Sequence, residues 1–252
     1  MRILNTDKTG GSAGGKEQTP KHVKVLIASL KDSGSPHARV KAACALGERG
    51  NKAVVPALID ALKDRDVRVR KAAAEALANI GEEASSAVPA LIDALKDRKS
   101  YFNWSATFAL SKIGKKAVPA LIASLKDPDA LVRQVATFGL AGIEADIGEE
   151  ASGAIPTLIA NLSDPNGQTA QGAVRALYKI GEKAMQSLIV SLKDSGSPSD
   201  RCKAAWALGE MRKKGRDAVP ALEEAAVNDP DRDVRFQAKY SLDTIHEALK
   251  YA

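Results

Sequence analysis

The chain has 252 residues, of which 44% are hydrophobic and 4% are aromatic. This is enough apolar material for a core, but the core must consist of Ala, Leu, Val and Ile rather than rings. The formal net charge of +6 favours acidic partners in general. The charges are dispersed along the chain, however, and so do not indicate nucleic acid.

The two cysteines, Cys44 and Cys202, lie far apart and have no CxxC or Cys/His spacing around them. This argues against a disulfide framework and against a zinc site, and we expect no metal or other cofactor. Cysteines used in this way are typical of a reducing compartment.

The first 19 residues are polar and contain two Gly-Gly pairs, so they predict a flexible tail. They lack the apolar run of a signal peptide, and no segment approaches the ~18 consecutive apolar residues of a membrane span. We therefore expect a soluble, cytoplasmic protein with no membrane association.

A unit of two helices and a turn recurs along the chain. Seven first helices align on Leu26, Leu58, Leu91, Leu121, Leu158, Leu188 and Leu222. Self-similarity at this period is typical of a solenoid, in which one repeat buries its apolar face only against its neighbours. We predict a solenoid over residues 20–252, with approximate repeats 20–51, 52–84, 85–115, 116–151, 152–182, 183–216 and 217–252.

The first helices share their start and their end. Five carry a proline in the first turn, where a missing N–H costs nothing: Pro56, Pro89, Pro119, Pro156 and Pro220. An aspartate in or near the turn after each first helix is expected to cap or brace the second helix. These aspartates are Asp32, Asp64, Asp97, Asp127, Asp164, Asp194 and Asp229.

The second helices share a template that is clearest from Val69, its first position, to Gly81. Val69, Ala73, Leu77 and Ile80 fall on one apolar stripe at helical spacing. Alanines in the stripe allow neighbouring helices to approach closely, and Gly81 is placed to end the helix.

This pattern, Val-Arg-x-x-Ala-Ala-x-Ala-Leu after a helix reading Pro-Ala-Leu-Ile-x-Ala-Leu-Lys-Asp, resembles the HEAT-like repeats first grouped with the phycobilisome lyases. The resemblance covers about residues 20–250. It implies an all-α, armadillo-like, right-handed α-solenoid (an α–α superhelix) of about seven helical hairpins. For function it implies a scaffold and little more.

An arginine recurs at the second template position, as Arg39, Arg70, Arg133, Arg201 and Arg235. Two interpretations are open: a basic ladder for phosphate or nucleic acid, or pairing with the turn aspartates, which the resemblance implies. The register of the arginines with the aspartates favours pairing. Asn103 and Ala170 replace the arginine in the third and fifth repeats, so we expect looser or reshaped packing there.

Template positions three, seven and ten should point away from the apolar stripe. In the second repeat they hold Lys71, Glu75 and Ala78, as in an ordinary solvated face. In later repeats this face carries seven of the ten aromatic residues: Trp104, Phe108, Phe138, Tyr178, Trp206, Phe236 and Tyr240.

In solenoids of this kind the second helices line the concave surface, so the rings are expected to form a groove for a partner. Arg175, Gln134, Gln171, Lys112 and Lys179 lie on the same face and could orient an acidic or polar group. The alternatives are that rings pack on each other or on small neighbours. The C-terminal residues 248–252 could also cover Phe236 and Tyr240.

No catalytic constellation is apparent. The histidines His22, His37 and His246 have no carboxylate or serine that the repeat would bring to them. The basic run Arg212–Arg216 is expected to be a solvated loop between repeats.

The leading hypothesis is a non-enzymatic scaffold or adaptor that binds a protein partner through the aromatic groove. A second is a subunit of an E/F-type bilin lyase or a tetrapyrrole-binding chaperone, because Ala204-Ala205-Trp206 is similar to the Ala-Ala-Trp signature of those enzymes. A third is nucleic-acid binding in a positive groove, although the aromatic face is poor in arginine.

Overall fold

A computed structural model describes residues 21–32, 34–49, 52–97 and 102–250 of the chain, so the predicted tail lies outside the described part. These residues hold fourteen α-helices in seven antiparallel pairs, as the repeat predicts. The first helices are α1 (Lys21–Asp32), α3 (Val55–Ala61), α5 (Val88–Ala94), α7 (Val118–Ser124), α9 (Ile155–Asn161), α11 (Glu182–Asp194) and α13 (Val219–Asn228). The second helices are α2 (Pro36–Gly47), α4 (Val67–Ile80), α6 (Phe102–Ile113), α8 (Ala130–Gly142), α10 (Gly167–Ile180), α12 (Pro198–Glu210) and α14 (Arg232–Lys250).

The ends of the helices follow from local chemistry. The five prolines of the first helices all lie at the first or second helical residue. Gly81, Gly114 and Gly181 have φ values of 68°, 74° and 81°, a left-handed conformation that side chains with a Cβ avoid. These glycines therefore end α4, α6 and α10 and turn the chain toward the next repeat.

Of the two roles expected for the turn aspartates, capping or bracing the second helix, bracing is the one seen at α4, α8 and α10, whose caps lie two residues after the aspartate. The side chains of Asp66, Asp129 and Asn166 accept the capping N–H groups, from Arg68, Leu131 and Gln168. The turn aspartates brace the cap instead. The carboxylate of Asp64, for example, accepts the backbone N–H of Asp66 at 2.8 Å.

The second helices pack side by side, and in places no side chain fits between them. A Cβ on Gly47 of α2 would lie 2.5 Å from Cα of Ala76 in α4, and one on Gly209 of α12 would lie 2.7 Å from Cβ of Ser241 in α14. Neighbouring first helices touch far less. The second helices therefore form the more closely packed layer, and one continuous core runs from Val23 to Ile245.

One expectation for the second helices is wrong. Position ten of the template does not face solvent, because Ala78 is only 5% exposed. In this array position ten faces the following second helix, and it holds small buried residues at Gly47, Ala78, Ser111 and Gly209. The flank of a helix is covered by its neighbour, which a helical wheel drawn for one repeat cannot show.

Tyr178 is the exception at position ten, and α10 and α12 make few contacts with each other. Position four, which faces the preceding second helix, is small or β-branched at Ala72, Ser105, Val135 and Gly172 but is Lys203 in α12 and Gln237 in α14. Gln237 follows a helix with Gly209 at position ten, so α10 and α12 are the pair with a large residue at both positions, Tyr178 and Lys203. We call this contact the repeat five–six junction.

The recurring arginines link successive repeats. Arg39, Arg70, Arg133 and Arg201 lie 2.7 to 3.0 Å from a turn aspartate of the following repeat: Asp64, Asp97, Asp164 and Asp229 respectively. Arg70, Arg133 and Arg201 also donate to a backbone carbonyl of their own turn, such as Arg201 to Ser195 at 2.8 Å. Arg235 has no following repeat in the described chain and donates to the carbonyls of Asp229 and Pro230.

The ladder is interrupted where the arginine is replaced. Asp127, opposite Asn103, lies 4.0 Å from the ammonium of Lys96. Asp194, opposite Ala170, is exposed and has no ion pair among the described residues. The side chain of Asp32 lies outside the described part. The arginine–aspartate pair that is absent at Ala170 would have joined repeats five and six. It is therefore absent at the repeat five–six junction, where packing between second helices is sparsest.

The longer fourth repeat adds a segment between α8 and α9. Ile143 and Ile147 anchor it in the core. Its carboxylates pair with lysines of repeats three and six, Glu144 with Lys112, Glu150 with Lys115 and Glu149 with Lys183. Those ion pairs cross-link three repeats on the edge where the second helices end.

Within the described ranges, the chain contains no helix with the length and hydropathy needed to cross a membrane.

Candidate functional site

The seven aromatic residues of interest all lie on the second helices, and we call the surface they share the inner face. Five are exposed: Trp104 36%, Phe108 50%, Tyr178 37%, Phe236 71% and Tyr240 59%. The other two, Phe138 and Trp206, are half-buried, and Trp206 packs against the core. Both alternatives foreseen for such rings, exposure and packing on neighbours, therefore occur along the same face.

Three side chains of the inner face form one chain of contacts across three helices. The rings of Trp104 in α6 and Phe138 in α8 meet edge to face, with centroids 5.5 Å apart. The guanidinium of Arg175 in α10 lies 5.5 Å from the centroid of the Phe138 ring. Edge-to-face and cation–π contacts both favour a fixed geometry, so this part of the face is pre-organised.

Other rings of the inner face also carry a cation. Lys112 lies over Phe108 with its nitrogen 5.6 Å from the centroid, and Lys203 lies 5.8 Å over Trp206. Lys214 is 4.2 Å from the centroid of Tyr178 and donates to that residue's carbonyl. The basic run Arg212–Arg216 is thus not solvated throughout, because Lys214 reaches back over the ring of the preceding repeat.

The two rings of the last repeat stand apart from this pattern. Phe236 and Tyr240 lie one turn apart on α14, and both are more than half exposed. The helix continues without a break to Lys250, so residues 248–250 do not fold back over them. Residues 251 and 252 lie outside the described part.

Cys202 lies on the inner face, but its environment does not activate it. Partial burial raises the pKa of its thiol, and the nearby charge of Lys203 only partly offsets this. Burial also raises the pKa of Cys44. Both thiols are therefore protonated at neutral pH, whereas a nucleophilic cysteine requires a depressed pKa.

No catalytic geometry is found among the described residues. His22 contacts Arg49, and His37 and His246 are exposed on α2 and α14. Within the same ranges no three acidic, histidine or cysteine side chains are grouped as a metal would require. A cavity of about 510 Å³ opens between α11 and α13, but it is lined by residues such as Leu192 and Glu224 and contains none of the seven rings.

Comparison with protein families gives one result. A family model for HEAT repeats matches residues 23–87, 83–141 and 149–243, which together make up most of the chain. A comparison with curated proteins finds no match.

Several solved structures are similar in fold. Importin beta matches at 17% identity with a TM-score of 0.55, over 90% of this chain and 36% of that one. The complex of CpcE and CpcF of phycocyanin lyase from Nostoc sp. PCC7120 matches at 24% identity and a TM-score of 0.47, over 98% of each chain. The archaeal HEAT-like repeats protein from Thermococcus onnurineus NA1 matches at 17% identity and a TM-score of 0.48, over 90% of this chain and 88% of that one.

Proposed function

The chain belongs to the HEAT-repeat family, and we propose that it is a non-enzymatic scaffold whose inner face binds a segment of a protein partner. The observation that carries the proposal is the exposure of five rings on one face, at template positions that are polar or small in the second repeat. Exposed rings grouped on one surface are typical of protein–protein hot spots.

The spacing of the second helices suits an extended segment. Packed helices lie ~8–10 Å apart, so the inner face from α6 to α14, which carries all seven rings, spans roughly 40 Å. An extended chain of about twelve residues covers that length. Successive side chains of one peptide could therefore contact successive repeats.

A binding role is better supported than a catalytic one. The titratable groups near the rings are held in cation–π contacts and ion pairs rather than set opposite a nucleophile. A tetrapyrrole-binding role rests on Ala204-Ala205-Trp206 alone, and in this chain Trp206 is half-buried and lies beneath Lys203. Mixing the protein with phycocyanobilin and recording the visible spectrum tests that alternative, and we expect no change.

The test of the proposal replaces rings that can be removed without disturbing the core. We define the ring variant as Phe108→Gln, Phe236→Gln and Tyr240→Gln, all at exposed positions. In affinity purification from native lysate, the ring variant should lose proteins that wild type retains. Each exposed aromatic anchor is worth roughly 2 kcal/mol at a hot spot, so loss of three should abolish capture.

The chain offers a matched control on its other surface. Val25, Val190 and Val227 are exposed apolar residues of first helices, at 67%, 56% and 73%. Replacing all three with Gln gives the control variant, which should retain the partners. Equal losses in both variants, or full retention by a folded ring variant, would remove the proposal.

A further inference from the structure

The charges beside the rings define the chemistry of the occupant. Helices α6, α8 and α10 contain no aspartate or glutamate, but they hold Lys112, Arg133, Arg175 and Lys179. In α12 the two carboxylates, Asp200 and Glu210, lie at the ends of the helix. The middle of the inner face is therefore cationic, unlike that of α4, which carries Glu75.

These cations differ in how far their charge is already matched. Arg133 and Lys112 pair with carboxylates, Asp164 and Glu144. Arg175, Lys203 and Lys214 instead lie over rings, and within the described ranges none of them pairs with a carboxylate. A ring holds a cation in place without cancelling its charge, so these three remain open to an anion.

Two of the open cations border the repeat five–six junction, because Lys203 occupies the α12 position that faces α10 and Lys214 lies over Tyr178 at the end of α10. Arg175 also lies on α10, but its guanidinium is directed to Phe138 of α8. Because α10 and α12 make few contacts, their packing is the loosest between neighbouring second helices. A carboxylate of a partner lying along the inner face at this point would be close to Lys203 and Lys214.

We propose that the occupant of the inner face is an acidic protein segment, whose Asp or Glu side chains bind Arg175 beside Phe138 of α8 and bind Lys203 and Lys214 at the repeat five–six junction. Apolar side chains of the segment contact the neighbouring rings. The inference rests on the proposed function and adds the chemistry of the partner. A basic segment is disfavoured because cations of this chain already lie over four of the rings and would repel it.

The same arrangement argues against nucleic acid. Single-stranded nucleic acids bind by stacking bases on open aromatic faces along a track of cations. In this face Phe108, Phe138, Tyr178 and Trp206 each have a cation over the ring. The carboxylates of a peptide bind the cations and do not need the ring faces, so the cation–π contacts stay in place.

The test begins with a random-peptide phage-display library selected on the whole 252-residue chain. Synthetic copies of the enriched peptides are titrated by fluorescence anisotropy against wild type and against the ring variant. We expect the enriched peptides to carry Asp and Glu. We also expect Arg175→Glu with Lys203→Glu to weaken their binding by at least about a hundredfold, because two attractions become repulsions.

A matched charge change elsewhere serves as the control. Lys116→Glu with Lys126→Glu alters the net charge equally at exposed positions off the inner face and should change affinity less than about threefold. The milder pair Arg175→Gln with Lys203→Gln should weaken binding by about tenfold, which keeps the test usable if the reversed pair folds poorly.

The outcomes separate the two claims. Neutral or basic peptides that need the rings but not the cations would overturn the acidic occupant and leave the proposed function standing. Peptides that bind the ring variant as well as wild type, or no enrichment at all, would count against the proposed function itself. A random single-stranded oligonucleotide that binds more tightly than the acidic peptides, with the same dependence on Arg175 and Lys203, would replace the occupant with nucleic acid.

Discussion

Among single residues, the turn aspartates show how one repeated amino acid acquires different roles from its neighbours. Asp229 accepts two hydrogen bonds from Arg201, at 2.7 and 2.9 Å, and both side chains are less than 10% exposed. Asp194 occupies the corresponding position one repeat earlier, faces Ala170 and is exposed. The aspartate alone does not determine its role; the arginine of the preceding repeat does.

We expect Asp229→Asn to lower the free energy of unfolding by about 2–3 kcal/mol at pH 7, because it leaves Arg201 buried without its charge partner. The amide oxygen of asparagine can still accept the backbone N–H of Asp231, so the turn is preserved. Asp194→Asn is the matched control and should change stability by less than about 0.5 kcal/mol. Urea denaturation followed by circular dichroism measures the free energy of unfolding of both variants. Equal losses would contradict the claim that Asp229, unlike Asp194, is held in an ion pair with an arginine.

The pH dependence of the same pair of variants checks the cause. The hydrogen bonds from Arg201 hold the pKa of Asp229 below its ordinary value of about 3.9. A depressed folded pKa stabilises the protein above the unfolded pKa, and that contribution is lost as the pH falls through the folded value. The difference between wild type and Asp229→Asn should therefore shrink below about pH 4, and a difference independent of pH would exclude the ion pair as its source.

At the scale of helices, the spacing between neighbours depends on which residue occupies position ten. Gly47 and Gly209 leave room for the backbone of the next second helix, whereas Tyr178 does not. Gly47→Ala places a Cβ 2.5 Å from Cα of Ala76. Because the backbone must move, we expect a loss of about 1–3 kcal/mol in unfolding free energy.

Gly167→Ala is the control for this substitution. A Cβ at Gly167, the first residue of α10, would meet no atom within 4 Å. The added methyl group restricts the unfolded chain, so we expect a gain of about 0.4–1 kcal/mol. Thermal unfolding of the two variants separates them, and a stabilised Gly47→Ala protein would contradict the close helix approach.

The helices and their order could be predicted from the sequence because three signals predict the same helices. These are the repeat period, the prolines at the helix starts and the glycines at the helix ends. The direction of position ten could not be predicted from one helix, since it depends on the neighbour that covers it. The series Gly47, Ala78, Ser111, Ala141, Tyr178 and Gly209 does carry the signal. Compared across repeats rather than within one, it singles out α10 and α12 as the pair held apart.

The candidate site was only partly predictable for a similar reason. The rings could be identified because they depart from the template of the second helix. The cations over them could not, because Lys214 lies in a loop and Lys203 occupies a position that is otherwise covered. Whether a given cation pairs with a carboxylate depends on which repeats the fold brings together.

For the whole molecule, the repeat five–six junction divides a continuous solenoid into two parts. Stability in such arrays is approximately a sum of repeat terms and nearest-neighbour interface terms. Repeats six and seven are joined by close packing of α12 and α14 and by the Arg201–Asp229 pair. Their contact with repeat five has neither feature, so we expect this interface to open first.

Native-state hydrogen exchange at low urea concentrations measures this opening. We expect amides of α12 and α14 to exchange together as one cooperative unit, at a lower opening free energy than those of α8 and α10. A gradual rise in protection from α14 through α12 to α8 would instead indicate simple fraying from the end. Asp229→Asn should loosen only the unit formed by repeats six and seven.

The inner face is the proposed binding surface, and the chain carries two intrinsic fluorescent probes on it. Both tryptophans of the protein, Trp104 and Trp206, lie on that face. Titration with a peptide selected on the 252-residue chain, followed by intrinsic tryptophan emission, should give a saturable change. Its midpoint should match the dissociation constant from anisotropy. Saturable binding by anisotropy with no change in tryptophan emission would place the partner on another surface and contradict the account.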